Sequence, residues 1–319
     1  AGLEAEGLLD ALEWRLDHPD DVDLDALAPL AARVGPTVAE VATPIDEVPI
    51  PSLFVRLDVE RQASFFMTGG LVADDGDVVD GGSPGMDVTL TIDASLQLAV
   101  EEELLAAFVA DRAKSVSAVV MDPFTGEIYA QATYPSYDAN DYQQIATTDK
   151  SRFIDPIVSA VYEPGSVFKM LTAIAALEKG VVKPTSIIND SAVLILDKGR
   201  NRVKNADLKG MGKIPFEDVI AYSRNVGAAK VGMRLGKTTA AAAKVLYATW
   251  EKLGFGRLTG IDVAGELPGL VNDPGKRTWR EIDLANGAFG QGVAVTPIQL
   301  AAAFSIMVNG GGRVQPHVV

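Results

Sequence analysis

Apolar and polar positions along the chain change rhythm several times. Over residues 1 to about 35, Leu8, Leu9, Leu12 and Leu16 share one helical face, and Leu24, Leu27 and Leu30 share another. His18, Pro19, Asp20 and Asp21 separate them, which predicts two short acidic helices joined by a solvated turn. Residues 40 to 85 alternate over short apolar stretches broken by Pro44, Pro49 and Pro51, and end in the turn-rich "ADDGDVVDGGSPG". A small strand-rich region closed by a linker is expected there. A new unit then opens with "MDVTLTIDASLQLAVEEELLAAFVADRA", a strand at Val88 to Ile92 followed by an amphipathic helix capped near Asp93 or Ser95. Ala118 to Met121 and Ile128 to Ala132 flank the turn residues Asp122, Pro123, Thr125 and Gly126, as in a β-hairpin. Residues 153 to 252 are expected to be mostly helical with polar loops, and residues 296 to 308 to form one more apolar helix. No internal repeat or low-complexity segment interrupts this order.

Composition narrows the function classes. The 319 residues, 48% hydrophobic, can support one large core or two ordinary domains. A net charge of -15 disfavours nucleic acid as a partner, because a phosphate backbone repels an acidic surface. The chain has no cysteine, which excludes disulfides, thiolate metal sites and a cysteine nucleophile. The Asp20 and Asp21 cluster lacks the glycine and spaced ligands of a calcium-binding loop. Only two histidines occur, His18 and His317, both in segments that look peripheral, so a serine–histidine–aspartate mechanism has no obvious base.

One motif supplies a different base. In "YEPGSVFK" the hydroxyl of Ser166 stands three residues before Lys169, the only charge in the apolar run Val167 to Leu177. Residues three apart share a helix face, and lysine is rarely buried without a partner. Pro164 and Gly165 leave Ser166 at a helix N-terminus, where the macrodipole disfavours an ammonium, and burial pushes the lysine the same way. A neutral lysine could then take the serine proton. The plainer alternative is an N-cap serine followed by a lysine that reaches out to solvent.

The neighbouring sequence resembles the class B penicillin-binding proteins, peptidoglycan D,D-transpeptidases of the penicilloyl-serine transferase family. "YEPGSVFKMLTA" is similar to the active-serine segment, and "AYSRNVGAAKVG" supplies the Ser-x-Asn element as Ser223, Arg224 and Asn225. "VTLTIDASLQ", "VMDPFTGEIYAQATYPSYDAN", "GFGRLTGIDVAGELPG" and "GAFGQGVAVTPIQLAAAF" follow in the family's order from about residue 86 onward. The resemblance implies an α+β, β-lactamase/transpeptidase-like fold: an antiparallel sheet flanked by helices with a helical subdomain, over residues 86–319, preceded by a small α/β N-terminal region at 1–85. It implies catalytic roles for Ser166 as nucleophile, Lys169 as base, Ser223 as proton relay, and Asn225 as hydrogen-bond partner of the substrate amide and of the lysine. Tyr162 is expected to pack, Glu163 to be a surface or helix-start charge and Arg224 to be exposed or structural. Peptidoglycan stem peptides on lipid-linked strands, β-lactams and a membrane glycosyltransferase are the implied partners, with no metal or organic cofactor. The implied location is the outer face of the bacterial cell membrane, with the anchor outside this chain.

The sequence also departs from the family's pattern. The third element, Lys-Thr-Gly or Lys-Ser-Gly, is not found; "GKTTAAA" at Lys237 to Thr239 lacks the glycine and lies in a helical stretch. An oxyanion donor on that strand is typically worth ~3 kcal/mol of transition-state stabilisation. The expectation is therefore a domain truncated before its C-terminal strands and a poor catalyst as it stands. A non-catalytic scaffold relative and a β-lactamase or β-lactam sensor of the same fold are the alternatives.

Overall fold

The computed structural model describes residues 88–137 and 142–319 together with the strand Gln62–Ala63. The two acidic helices expected before residue 35, the strand-rich region up to 85 and the boundary at 85 otherwise lie outside the described residues. Cα packing divides the chain into two compact units, one containing the stretches up to Asp122, Gly126–Ile157 and His317–Val319, the other Pro123–Thr125 and Val158–Pro316.

In the first unit, strand β1 (Gln62–Ala63) pairs antiparallel with β2 (Val88–Thr89). Helix α1 (Ala94–Ala110) begins where expected, because the Asp93 carboxylate accepts from the backbone N–H groups of Ser95 and Leu96, both at 3.1 Å. Its exposed residues Ser95, Ala99, Glu102, Glu103, Ala106 and Ala110 fall along one solvent face. The hairpin of β3 (Val116–Met121) and β4 (Ile128–Tyr134) is two strands in antiparallel register from Val116↔Tyr134, with a bulge between Val120 and Met121. Ile128, Ala130, Ala132 and Tyr134 alternate inward along β4. Gln97 ties α1 to β4 with a pair of bonds, donating to the Gln131 carbonyl at 3.0 Å and accepting from its N–H at 2.8 Å. Helix α2 (Tyr142–Thr148) follows, and the chain passes into the second unit within α3 (Pro156–Ser159).

The second unit is built around helix α4 (Lys169–Glu178), entered through a 3₁₀ turn at Gly165–Phe168. Helices α5 (Phe216–Ala221), α6 (Asn225–Met233), α7 (Thr239–Lys252) and α8 (Glu281–Gly287) pack with it around a common core. Phe168, fully buried, lies 5.6 Å from Trp250 and 4.9 Å from Phe255 between ring centres, and Trp250 lies 5.6 Å from Trp279. Such tilted aromatic clusters combine large apolar burial with favourable edge contacts.

Residues 153 to 252 are less helical than their sequence suggested. Four short strands lie inside that stretch: β5 (Ile187–Asp190) pairs with β8 (Gly212–Pro215), and β6 (Val193–Leu196) pairs with β7 (Asn201–Lys204), both antiparallel. The turn between β6 and β7 places Asp197 and Lys198 at positive φ, 50° and 57°. Strands of four residues show only two positions per face, too few for a period of two to stand out from a helical background. Lys237, the false third-motif lysine, sits in the turn before α7, whose N-cap is Thr238.

The last helix, α9 (Pro297–Val308), starts at a reciprocal capping box: the buried Thr296 hydroxyl accepts from Gln299 N–H at 3.3 Å, while the Gln299 side chain accepts from Thr296 N–H at 3.1 Å. Thr296→Ala is expected to cost about 1–2 kcal/mol, read as a lowered urea midpoint with an unchanged slope.

Candidate active site

The site lies within the second unit and is assembled from three segments. The first, residues 162 to 165, is laced to the segment 290 to 295 by backbone bonds. Tyr162 and Val295 exchange N–H groups and carbonyls at 3.1 and 3.0 Å, and Gly165 N–H donates to the Gly290 carbonyl at 2.9 Å. The Glu163 carboxylate accepts from Gly292 N–H at 2.7 Å. Glu163 is thus a surface residue, as expected, but one that ties the two segments together. Gly165 and Gly290 both hold positive φ, 61° and 84°, and a Cβ on Gly290 would stand 2.0 Å from the Gly165 carbonyl oxygen. Only glycine permits that approach. Tyr162, expected to pack, is 44% exposed, and its backbone ties it to Val295.

The second segment is the 3₁₀ turn itself. It presents Ser166 to solvent, while the next turn drives Phe168 into the core and leaves Lys169 only 2% exposed. The Lys169 amine donates to Ser166 Oγ at 2.9 Å, so the two side chains that the spacing placed on one face do meet. The third segment is the link between α5 and α6, where Ser223 adopts φ 52°. That conformation aims both of its oxygens at the same amine, which donates to the Ser223 carbonyl at 2.7 Å and to Ser223 Oγ at 2.8 Å. Three acceptors therefore face the three protons an ammonium carries.

The environment opposes that charge. Burial first, and the Arg224 guanidinium second, pull the Lys169 amine down from 10.5 to about 8, with Asp190 pulling the other way. When the amine is neutral, its lone pair can accept the Ser166 proton across the same 2.9 Å.

Asn225 departs from the expectation. The anticipated bond to the lysine is not made: Asn225 Nδ2 donates instead to the Lys204 carbonyl at 3.1 Å, tying the start of α6 to β7. The reason is geometric, since Ser223 alone presents two oxygens that, with Ser166, fill the amine's donor capacity. Arg224 is structural rather than exposed, being 7% accessible and paired with Asp190 at 2.8 Å and Asp207 at 3.0 Å. Two features escaped the sequence altogether: the Gly165–Gly290 contact and the buried acid that holds Arg224. A glycine directly after Pro164 and a lone arginine before the apolar start of α6 were the only signals. Among the described residues, no group of acidic or histidine side chains could hold a metal ion, and no helix is long and apolar enough to cross a membrane.

Comparison with known proteins gives this geometry its setting. Residues 116–319 match the penicillin binding protein transpeptidase domain. Stage V sporulation protein D of Bacillus subtilis is 37% identical over 239 residues, covering 73% of this chain and 34% of that protein. The peptidoglycan D,D-transpeptidase FtsI of Escherichia coli K12 is 32% identical over 225 residues, covering 70% of this chain and 36% of the relative. The chain thus spans about a third of the length of these curated relatives. Among solved structures, Pseudomonas aeruginosa PBP2 in complex with WCK 5153 superposes with a TM-score of 0.65 at 28% identity, covering 75% of this chain and 55% of that one. Penicillin binding protein 3 of Mycobacterium tuberculosis, complexed with aztreonam, gives 0.64 at 29% identity, over 78% and 57%. The α+β architecture expected from the sequence is therefore that of these transpeptidase domains. With an amine buried between two serines and a family match over most of the described residues, this chain belongs to the penicillin-binding protein transpeptidase domain family.

Proposed function

We propose that the chain carries the acyl-serine chemistry of a peptidoglycan D,D-transpeptidase. The observation that carries this reading is the Lys169 amine, 2% exposed and pulled down to about 8, at 2.9 Å from an exposed serine hydroxyl. Ser166 Oγ gives its proton to the neutral Lys169 and attacks the carbonyl of the penultimate D-alanine of a stem peptide, forming an ester as the peptide bond to the last D-alanine breaks. The resulting ammonium is stabilised by the two oxygens of Ser223, and Ser223 Oγ, 2.8 Å away, passes a proton to the departing amine. An amine of a neighbouring strand then attacks the ester and restores Ser166. Asn225, held to β7 by the Lys204 carbonyl, faces the substrate amide rather than the lysine in this scheme. β-Lactams enter at the first step, their strained amide taking the place of the D-alanyl-D-alanine bond. A lipid-linked glycan strand as substrate, a membrane glycosyltransferase as partner and a place on the outer face of the cell membrane belong to the same proposal.

Labelled penicillin followed by intact mass spectrometry and peptide mapping tests it. A stable adduct on the peptide containing Ser166 is the expected result. Rapid turnover without accumulation would favour a β-lactamase, and no adduct at saturating label would favour a non-catalytic scaffold.

A further inference from the structure

Ser223 holds the amine from a left-handed conformation, φ 52°, which is unfavourable for a residue with a side chain unless its surroundings impose it. Hydrogen bonds from Ser223 N–H to Ile220 and from Arg224 N–H to Val219 close the end of α5 at 3.0 and 2.8 Å, but they do not fix the backbone beyond that turn. The next side chain does. Arg224 Nε donates to Asp190 Oδ2 at 2.8 Å, Nη1 and Nη2 donate to the two oxygens of Asp207 at 3.0 and 3.1 Å, and Nη2 also reaches the Lys209 carbonyl. Asp190 is wholly buried at the end of β5, where it also accepts from Asn205 Nδ2 and from Met211 N–H, all at 3.1 Å. Asn205 in turn accepts from Val226 N–H at 3.0 Å. The chain is therefore gripped on both sides of Asn225, by a fork of charge-assisted bonds before it and a buried amide after it.

We infer that Arg224 is a positioning residue for acyl transfer: its guanidinium, clamped by Asp190 and Asp207, imposes the left-handed turn that points both oxygens of Ser223 at the Lys169 amine. This inference rests on the acyl-serine reading of the site. A partly accessible arginine pairing only with solvent could not do this, and a lysine could not make the forked contact with Asp207. The same cation faces Lys169, as does Asp190, and they act in opposite directions on its charge. Lys230, which donates to the Asn189 carbonyl at 2.5 Å and to Ser191 Oγ at 3.1 Å, is the other cation beside Asp190, with Arg234 beyond it.

The test compares labelled-penicillin acylation rates and their pH profiles for the wild-type chain, Arg224→Gln, Arg224→Lys and Asp207→Asn. Arg224→Gln is expected to slow acylation about 10- to 100-fold, the scale of a misplaced catalytic group, and to move the rising limb of the profile to higher pH. Arg224→Lys is expected to keep the wild-type position of that limb and recover only part of the rate. Asp207, whose side chain is 49% exposed, can be neutralised without emptying the core, so Asp207→Asn should fold and still acylate several-fold more slowly. A folded Arg224→Gln chain with the wild-type rate and profile would overturn the inference. If Arg224→Gln does not fold, an unslowed Asp207→Asn would do so. Failure of the wild-type chain to acylate would instead overturn the acyl-serine reading on which the inference stands.

Discussion

Replacing Lys169 by methionine is expected to slow acylation of Ser166 by roughly 10³-fold, within the range that a positioned general base contributes, while the chain remains folded. Methionine is unbranched and apolar and reaches about as far as lysine's hydrocarbon stem, and the position is 2% exposed in α4, where Leu171 and Thr172 are also buried. The partner oxygens are not stranded, because Ser223 is exposed and can turn to water. The substitution should also change how stability depends on pH. The folded value of about 8 lies below the ordinary 10.5, so between those pH values the folded chain binds fewer protons than the unfolded one. Stability from this group therefore rises with pH across that window, and its burial is most unfavourable below about 8. Urea midpoints taken on either side of the window should show this rise in the wild-type chain and lose it in Lys169→Met. A methionine variant that acylated at the wild-type rate would remove lysine from the mechanism.

Gly290→Ala is expected to be the most damaging small substitution near the site. Its Cβ would lie 2.0 Å from the Gly165 oxygen, 2.7 Å from the Gly165 carbonyl carbon and 2.8 Å from its nitrogen, all backbone atoms with no rotamer to yield. A left-handed φ of 84° adds strain for any side chain. Backbone strain of about 1–3 kcal/mol and overpacking of a similar size point to a loss of about 2–6 kcal/mol. The turn that carries Ser166 must shift to relieve the clash, so the acylation rate should fall along with the urea midpoint. Gly292 provides the control: its φ of 71° is also left-handed, but nothing lies within 4 Å of a Cβ placed there. Gly292→Ala should show only the backbone strain, roughly 1–2 kcal/mol. Equal effects at the two glycines would mean that the close approach to Gly165 does not matter.

How much of this was legible beforehand depended on the range over which each feature is encoded. Lys169 stood out because a single charge interrupts an apolar run, a local signal that burial and its contact with Ser166 explain. Asp93 announced its helix in the same local way, through a carboxylate that bonds N–H groups two and three residues ahead, whereas the cap at Thr296 emerged only with the structure. The strands β5 to β8 hid inside a stretch that looked helical because each has four residues and the turns between them carry their own charged side chains. Ser223 was reachable only through resemblance, since nothing in a spacing of 57 residues says that its carbonyl and hydroxyl converge on one amine. The role assigned to Asn225 by resemblance was only partly compatible with the geometry, which sends its amide to Lys204. Arg224 gave no sign of its partners, which lie 34 and 17 residues earlier in the chain. Such long-range charge pairs are set by how strands and helices come together, and no periodicity records them.

The central claim is that burial leaves Lys169 an amine able to take a proton from Ser166 near neutral pH. The acylation rate of the wild-type chain by labelled penicillin, followed from about pH 6 to about pH 10, tests this most directly. The predicted rate climbs with pH and levels off above a midpoint near 8. A rate that stays flat across that range, or that is still climbing at its upper end without levelling off, as for a lysine at its ordinary 10.5, would contradict it.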